Sequence, residues 1–533
     1  MGAYTAHVDT FARDNLPPAS QWPQFVFDLP ELQYPERLNA ASLLDDAAAQ
    51  YRDKDAVVWE AGRWSYGELL AKSNQIARVL RDELGLKPGN RVLLHASNSA
   101  MTIACWWAVL KAGGVVVTTM PMLRAREISV IVDKARISHV LAEASLWQAI
   151  EGAREATDCI RSALFFGPGG ELEGRMASQA SDFENVPTAS DDPALIAFTS
   201  GTTGKPKGCI HFHRDILSMA NTFARYILKP TSDDVFCGTP PFAFTFGLGG
   251  SVVFPAAFGA STALSTAPGY DALCDAIARH KVTTLFTAPT AYRAIVKAAD
   301  LGRLSSLKQC ISAGEPLAKA TSEAWFEATG LRLIDGIGST EMIHIFISAA
   351  GEDIRPGSTG KPIPGFQACV IDDDGQVLEL GSIGRLAIRG PTGCRYLADD
   401  RQANYVVNGW NVTGDVYRVD EDGYFWFVAR ADDMIISSGY NIAAPEVEQA
   451  LLLHPKVAET AVVGVPEAER GHICKAFVVL HQHDEASDGL KAELQDFVKS
   501  TIAPYKYPRA VEFVRDLPKT ETGKLQRFRL KTP

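Results

Sequence analysis

Short apolar runs at Arg91 to Leu94, Gly114 to Thr118 and Leu195 to Phe198 are separated by segments long enough to be helices. Strands buried on both faces read as continuous apolar runs rather than alternating ones, so the pattern predicts βαβ units and parallel-rich sheets covered by helices. The opening to about Asp55 is Pro-rich and irregular. Trp64-Ser65-Tyr66-Gly67-Glu68-Leu69 then leads into a helix with Ile76, Val79 and Leu80 on its apolar face. The longest uncharged stretch, Cys237 to Tyr270, has the apolarity of a membrane span, but Pro240, Pro241, Pro255 and Pro268 interrupt it among many Gly, Ser and Thr. A buried, irregular pocket wall is expected there instead.

The pattern changes near Arg430. Beyond it come a strand-like Met434-Ile435-Ile436, a helix starting near Pro445, strands at Ala461 to Val465 and Ala476 to Leu480, and a helix with Leu490, Leu494, Phe497 and Val498 on one face. This predicts an α+β domain of about a hundred residues, a common domain size. A chain of 533 residues is in any case too long for one hydrophobic core.

The formal net charge of -11 argues against a general affinity for nucleic acid or anionic membrane and leaves room only for local basic sites. Nine cysteines without a C-x-x-C pair, and no leader-like opening, suggest reduced thiols in a cytoplasmic protein.

The sharpest chemical signal is Phe198-Thr199-Ser200-Gly201-Thr202-Thr203-Gly204-Lys205-Pro206-Lys207-Gly208, read as a loop between a strand and an amphipathic helix containing Ile216, Phe223 and Ile227. Its glycines permit close backbone approach, its hydroxyls donate and its lysines compensate charge, so it can wrap phosphates. It lacks Walker A spacing, and by composition alone a polar surface loop remains an equal alternative.

Read with the rest of the chain, this loop is the first of five segments by which the sequence resembles the acyl-adenylate-forming superfamily of acyl-CoA synthetases, nonribosomal adenylation domains and luciferases. The others are Gly338-Ser339-Thr340-Glu341, Thr413-Gly414-Asp415, Arg430-Ala431-Asp432-Asp433 and Pro518-Lys519-Thr520-Glu521-Thr522-Gly523-Lys524, in the family's order. The resemblance implies an α/β fold with a large domain, 1–431, and a small mobile α+β domain, 432–533, hinged at Asp432. ATP, Mg²⁺ and coenzyme A are the implied small molecules. No nucleic acid or membrane partner is implied, and a second copy of the chain is the one protein partner entertained.

The implied roles suit the residue types. Thr199, Ser200, Gly201, Thr202, Thr203 and Lys207 would cradle phosphates. Asp415 would bind the ribose hydroxyls with Arg430 assisting. Glu341 would hold Mg²⁺, a task suited to a carboxylate, and Thr340 would contact the α-phosphate. Ala313, Gly314 and Glu315, with Asp335, Gly336 and Ile337, would frame adenine; Ile337 stands where the family often has an aromatic, so aliphatic packing is expected. Lys524 would bridge the acid and the α-phosphate, relieving the repulsion of two anions. After rotation of the small domain, Gly439 would line the path of the pantetheine arm.

Pro240 to Gly249 and Met342 to Phe346 would form the acid pocket and resemble the benzoate–CoA ligase branch. The expected lining is Thr245, Phe246, Ala313, Gly338, His344 and Ile345, aromatic and aliphatic enough for a flat ring. The two segments carry no charge, and Glu341 just before the second is assigned to metal, which disfavours an amino acid as substrate. The expected reaction is ATP-dependent joining of an aryl acid to coenzyme A, with 2-aminobenzoate favoured over benzoate. The alternative is an enzyme that loads an aryl acid onto a carrier protein.

Overall fold

Apolar runs and caps fix the elements. Ser65 accepts from the Glu68 amide while the Glu68 carboxylate accepts from the Ser65 amide, a reciprocal box that starts helix Tyr66–Arg78. Strands Arg91–His95 and Val115–Thr119 are buried along their whole length, as continuous apolar runs require. The computed structural model describes residues 4–199, 206–265, 267–298, 300–437, 440–467, 471–482, 485–502, 504–519 and 525–531.

The chain divides into two compact units, residues 1–368 with 388–411, and residues 369–387 with 412–533. This places Val412 to Arg430 with the C-terminal unit, earlier than the change of pattern near Arg430. Asp432 lies in the single helical turn Ala431–Asp433 of that unit.

Among the described residues, two sheets lie wholly in the first unit. One has the strand order Ser162–Phe166, His139–Glu143, Arg91–His95, Val115–Thr119, Pro193–Thr199, Lys207–Phe212, parallel except for its last pair. The other has nine strands, with Leu333–Gly338, Gln309–Ser312, Thr284–Thr287 and Val235–Gly238 running parallel at its centre. Helix Ala100–Lys111 is buried almost throughout, and its Trp106 and Trp107 join residues of both sheets in one core. The apolar stretch from Cys237 breaks into short helices, Thr245–Leu248 and Phe254–Phe258, around a π-helical turn. No helix among the described residues is long and apolar enough to cross a membrane.

The Gly-rich loop does not lead from a strand into a helix; it joins antiparallel strands Pro193–Thr199 and Lys207–Phe212, with Thr199 opposite Lys207. The β-branched and aromatic residues Ile210 and Phe212 favour the second strand, which precedes helix His213–Met219. That helix runs on as a π-helical segment, Ala220–Leu228.

In the second unit, Val457–Glu467 and Gly471–Leu480 pair as a long antiparallel hairpin, covered by helices Ala444–Leu452 and Asp488–Thr501. Leu490, Leu494 and Val498 are buried on one helical face as their spacing predicts.

Candidate active site

Along strand Lys207–Phe212 side chains alternate, so Lys207, Cys209 and His211 share a face. Residues 394–397 pair with this strand: the Ile210 amide donates to the Arg395 carbonyl and the Leu397 amide to the Gly208 carbonyl, both at 2.8 Å. Tyr396 is thereby brought beside Lys207. The lysine Nζ lies 3.4 Å from the Tyr396 hydroxyl, which donates to Glu341 Oε1 at 2.6 Å. Burial of the Tyr396 ring, reinforced by nearby Cys209 and Glu341, pushes the phenol well above its ordinary pKa, so it remains a donor.

Thr340 and Glu341 ride on the single turn Thr340–Met342, capped by the Ser339 hydroxyl. The turn ends at Ile343 with φ +65°, a left-handed conformation that is uncommon for a β-branched residue. Among the bonds that hold it are three from the sheet edge: His211 Nε2 donates to the Thr340 carbonyl at 2.8 Å, the Thr392 hydroxyl donates to the Met342 carbonyl at 2.8 Å, and Tyr396 holds Glu341. The chain then enters strand Ile345–Ser348, antiparallel to Leu333–Gly338 with Gly338 opposite Ile345. A Cβ at Gly338 would lie 2.7 Å from the His344 carbonyl oxygen, so glycine is required there.

Glu341 is buried, and its Oε2 accepts no hydrogen bond among the described residues. No group of three or more His, Cys, Asp or Glu side chains among the described residues could cage a metal. A single available carboxylate oxygen fits Mg²⁺ that keeps most of its shell as water and phosphate oxygens, and does not fit a structural metal.

Adjacent parallel strands Gln309–Ser312 and Leu333–Gly338 pair Ser312 with Asp335. Ala313, Gly314 and Glu315 thus emerge beside Asp335, Gly336 and Ile337 at the carboxyl edge of the sheet, where open α/β sheets bind ligands. Gly314 has φ +90°. The Asp335 carboxyl has a buried oxygen without a partner among the described residues, and burial, only partly opposed by Ser312 and the Gly336 amide, pushes its pKa up to about 7.

The third cluster surrounds His344. Its ring centroid lies 4.7 Å from that of Phe254, 5.2 Å from Phe223 and 5.9 Å from Phe246, and Phe246 meets Phe286 at 5.3 Å. Among the described residues neither ring nitrogen of His344 has a hydrogen-bond partner. Burial pushes its pKa down to about 3 against a smaller upward pull from the Phe246 backbone, so the imidazole is neutral. Gly249 leaves room for it: a Cβ there would sit 2.5 Å from the ring. Thr245 and Ala313 are buried, as is Ile345.

In the second unit, Asp415 faces Arg430 across an antiparallel pair, and Arg430 donates to Asp415 Oδ1 at 3.1 Å. Gly414 makes this possible, because a Cβ there would lie 2.4 Å from the guanidinium.

Among the expected site residues, Ser200, Gly201, Thr202, Thr203, Gly439 and Lys524 lie outside the described residues. Sequence reasoning missed Tyr396, Thr392, His211, Phe223, Phe254 and Phe286. Reading Lys207 to Phe212 as a strand places His211 on the face of Lys207; no comparable signal marks Tyr396 or the distant phenylalanines.

The model of the AMP-binding enzyme family matches residues 44–396, and that of the AMP-binding enzyme C-terminal domain matches 446–524. The chain belongs to the AMP-binding enzymes. Benzoate–CoA ligase of Thauera aromatica is 34% identical over 513 residues, covering 94% of this chain and 97% of that protein. The solved anthranilate CoA ligase AuaEII in complex with anthranoyl-AMP has a TM-score of 0.88 and 33% identity, covering 94% of this chain and 98% of that one. The benzoate CoA ligase from Burkholderia xenovorans LB400 follows with a TM-score of 0.85 and 31% identity, covering 93% and 100%. This member of the family is an AMP-forming acid–thiol ligase that uses ATP and coenzyme A.

Proposed function

We propose that the acid is aromatic, of benzoate size, and that 2-aminobenzoate is preferred over benzoate. The observation that carries this reading is the neutral His344 imidazole, buried among Phe223, Phe246 and Phe254 with both ring nitrogens unpartnered among the described residues. Phenylalanine walls favour a flat ring. An unpartnered imidazole nitrogen accepts a hydrogen bond from an ortho amino group, whereas an ammonium would find no counter-charge in that cluster. The similarity to an anthranilate and two benzoate ligases supports the same class.

In the first half-reaction the acid carboxylate attacks the α-phosphorus and pyrophosphate leaves. Lys207 and the hairpin loop hold phosphate oxygens, Thr340 steadies the α-phosphate, and Lys524 screens the approaching anions. Glu341 would hold Mg²⁺, which when bound neutralises phosphate charge. Asp335 sits at the adenine edge, and Asp415 with Arg430 takes the ribose hydroxyls. In the second half-reaction the thiol of coenzyme A attacks the acyl carbon and AMP leaves, after the small domain turns about Asp432 and Gly439 admits the pantetheine arm.

The test is kcat/KM for benzoate, 2-aminobenzoate, 2-hydroxybenzoate, acetate and octanoate, with free coenzyme A as acceptor. 2-Aminobenzoate is expected first, and acetate last, because each unfilled methylene-sized void costs about 1 kcal/mol. Acetate or octanoate ranking first overturns the aryl reading, and benzoate ahead of 2-aminobenzoate overturns only the finer one. Adenylate that accumulates despite coenzyme A points instead to a carrier-protein acceptor.

A further inference from the structure

Behind the Thr340–Glu341 turn, and away from the groups assigned to nucleotide or acid, lies a buried row of polar side chains: Arg395, Asp215 and His211. Arg395 and Asp215 are both fully buried and hydrogen-bonded to each other. The Arg395 guanidinium also lies over the Phe212 ring, 3.9 Å from its centroid. Burial alone would raise the Asp215 carboxyl, yet Arg395 and His211 hold it below the usual carboxylate range. Asp215 Oδ2 stands 3.6 Å from His211 Nδ1, and the opposite edge of that ring, Nε2, reaches the Thr340 carbonyl at 2.8 Å. A carbonyl only accepts, so Nε2 carries the hydrogen.

The row has a mechanical consequence. The turn it meets ends on the left-handed Ile343, a conformation that persists only when its surroundings over-determine it. Arg395 and Tyr396 are adjacent in sequence, and they reach the turn by two routes. Arg395 packs with Asp215 beside His211, whose Nε2 holds the main chain at Thr340, and Tyr396 acts directly on the side chain of Glu341.

We propose that His211, packed beside the Asp215–Arg395 pair, is a positioning residue that fixes the Thr340–Glu341 turn and so sets the Glu341 carboxylate for the metal of the ATP complex. This rests on the reading of Glu341 as the Mg²⁺-holding residue. His211 touches neither substrate nor metal; it acts through the Thr340 carbonyl.

Removing Arg395 or Asp215 would leave a buried uncompensated charge and risks unfolding the chain, so His211 is the residue to change. His211→Leu removes the donor but leaves the Thr340 carbonyl its bond from the Ile343 amide, 3.1 Å away. His211→Gln keeps a donor at similar reach. The primary measurement is the affinity of Mn²⁺ for the full-length enzyme with α,β-methylene-ATP, read by electron paramagnetic resonance. His211→Leu is expected to weaken Mn²⁺ by about tenfold or more, as loss of outer partners of metal ligands does, and His211→Gln to restore most of it. Conversion of preformed aryl-adenylate to thioester, and the thermal midpoint, should stay near wild type.

Unchanged Mn²⁺ affinity in His211→Leu overturns the proposal. So does a lowered midpoint with equal loss in both half-reactions, the signature of a merely structural residue. Glu341→Gln separates the two levels. If it leaves Mn²⁺ affinity unchanged, the metal reading of Glu341 fails and the positioning role falls with it; if it weakens Mn²⁺ while His211→Leu does not, only the positioning role fails.

Discussion

His344 and Asp335 are both polar groups whose neutral forms burial favours, and each makes a different prediction. His344 is uncharged far below neutral pH, so it can select an acid only by hydrogen bonding and shape. In His344→Leu, the lead of 2-aminobenzoate over benzoate in kcat/KM is expected to shrink by about 1–2 kcal/mol, the size of one neutral buried bond, while benzoate hardly changes. Equal loss for both acids would show that the residue only packs. Asp335, with its carboxyl raised to about 7, affects stability in the opposite sense to a paired carboxylate. The folded chain holds this proton more tightly than the unfolded chain, so its contribution is present at low pH. That contribution is lost as pH rises from about 4 toward 7, by at most about 1.4 kcal/mol per pH unit. Urea unfolding of wild type and Asp335→Asn at pH 5, 6 and 7 should show wild type losing stability relative to the variant over this range. A constant difference would mean that the carboxyl is not raised. Neither residue's state was legible in the sequence, because pKa and the loss of partners depend on neighbours contributed by remote strands. The sequence did mark both positions as ones to watch, through the segments in which they stand.

The strands and capped helices were legible from apolar period, and they fell where Arg91, Gly114 and Leu195 began their runs. The exception was Lys207 to Phe212, where a Gly-rich loop followed by a helical pattern hid a short intervening strand. That strand matters, since its alternation sets Lys207 and His211 on one face and its pairing with residues 394–397 brings in Tyr396. Tyr396 lies far from the Glu341 motif in sequence, and local pattern gives no hint of such a pairing. The strand pair that carries Asp415 and Arg430 yields a prediction of its own. Gly414 faces the guanidinium so closely that alanine must displace it. The ion pair is half-exposed on the arginine side, so Gly414→Ala should change unfolding free energy by less than about 1 kcal/mol. Its KM for ATP should nevertheless rise several-fold with a smaller change in kcat if, as proposed, Arg430 orients Asp415 toward the ribose. Unaltered KM would argue that Arg430 serves the ion pair alone.

At the scale of the whole molecule, two compact units and the family membership of both were foreshadowed by the five motifs in order, whereas the division at Asn411 was not. The strands that carry Asp415 and Arg430 pair with each other, in a sheet separate from that of Val457–Glu467 and Gly471–Leu480, so no local change of hydropathy marks the division. The proposed mechanism asks more of these units than their folding. Lys524 must reach the acid carboxylate while the adenylate forms, and the thiol of coenzyme A must reach the same carbon afterwards, so the two cannot occupy that space together. If the units exchange roles by rotation about Asp432, the half-reactions should separate under mutation. Lys524→Ala should abolish acid-dependent pyrophosphate exchange, yet convert synthetic 2-aminobenzoyl-adenylate to thioester at a rate within a few-fold of wild type, since the lysine acts only in the first arrangement. Gly439→Leu should do the reverse, keeping the exchange and losing thioester formation, because a branched side chain blocks the pantetheine arm but touches neither ATP nor acid. Measuring both half-reactions in both variants makes each the control for the other. A parallel loss in Lys524→Ala would mean that one arrangement serves both steps, and normal thioester formation in Gly439→Leu would send the arm along another path.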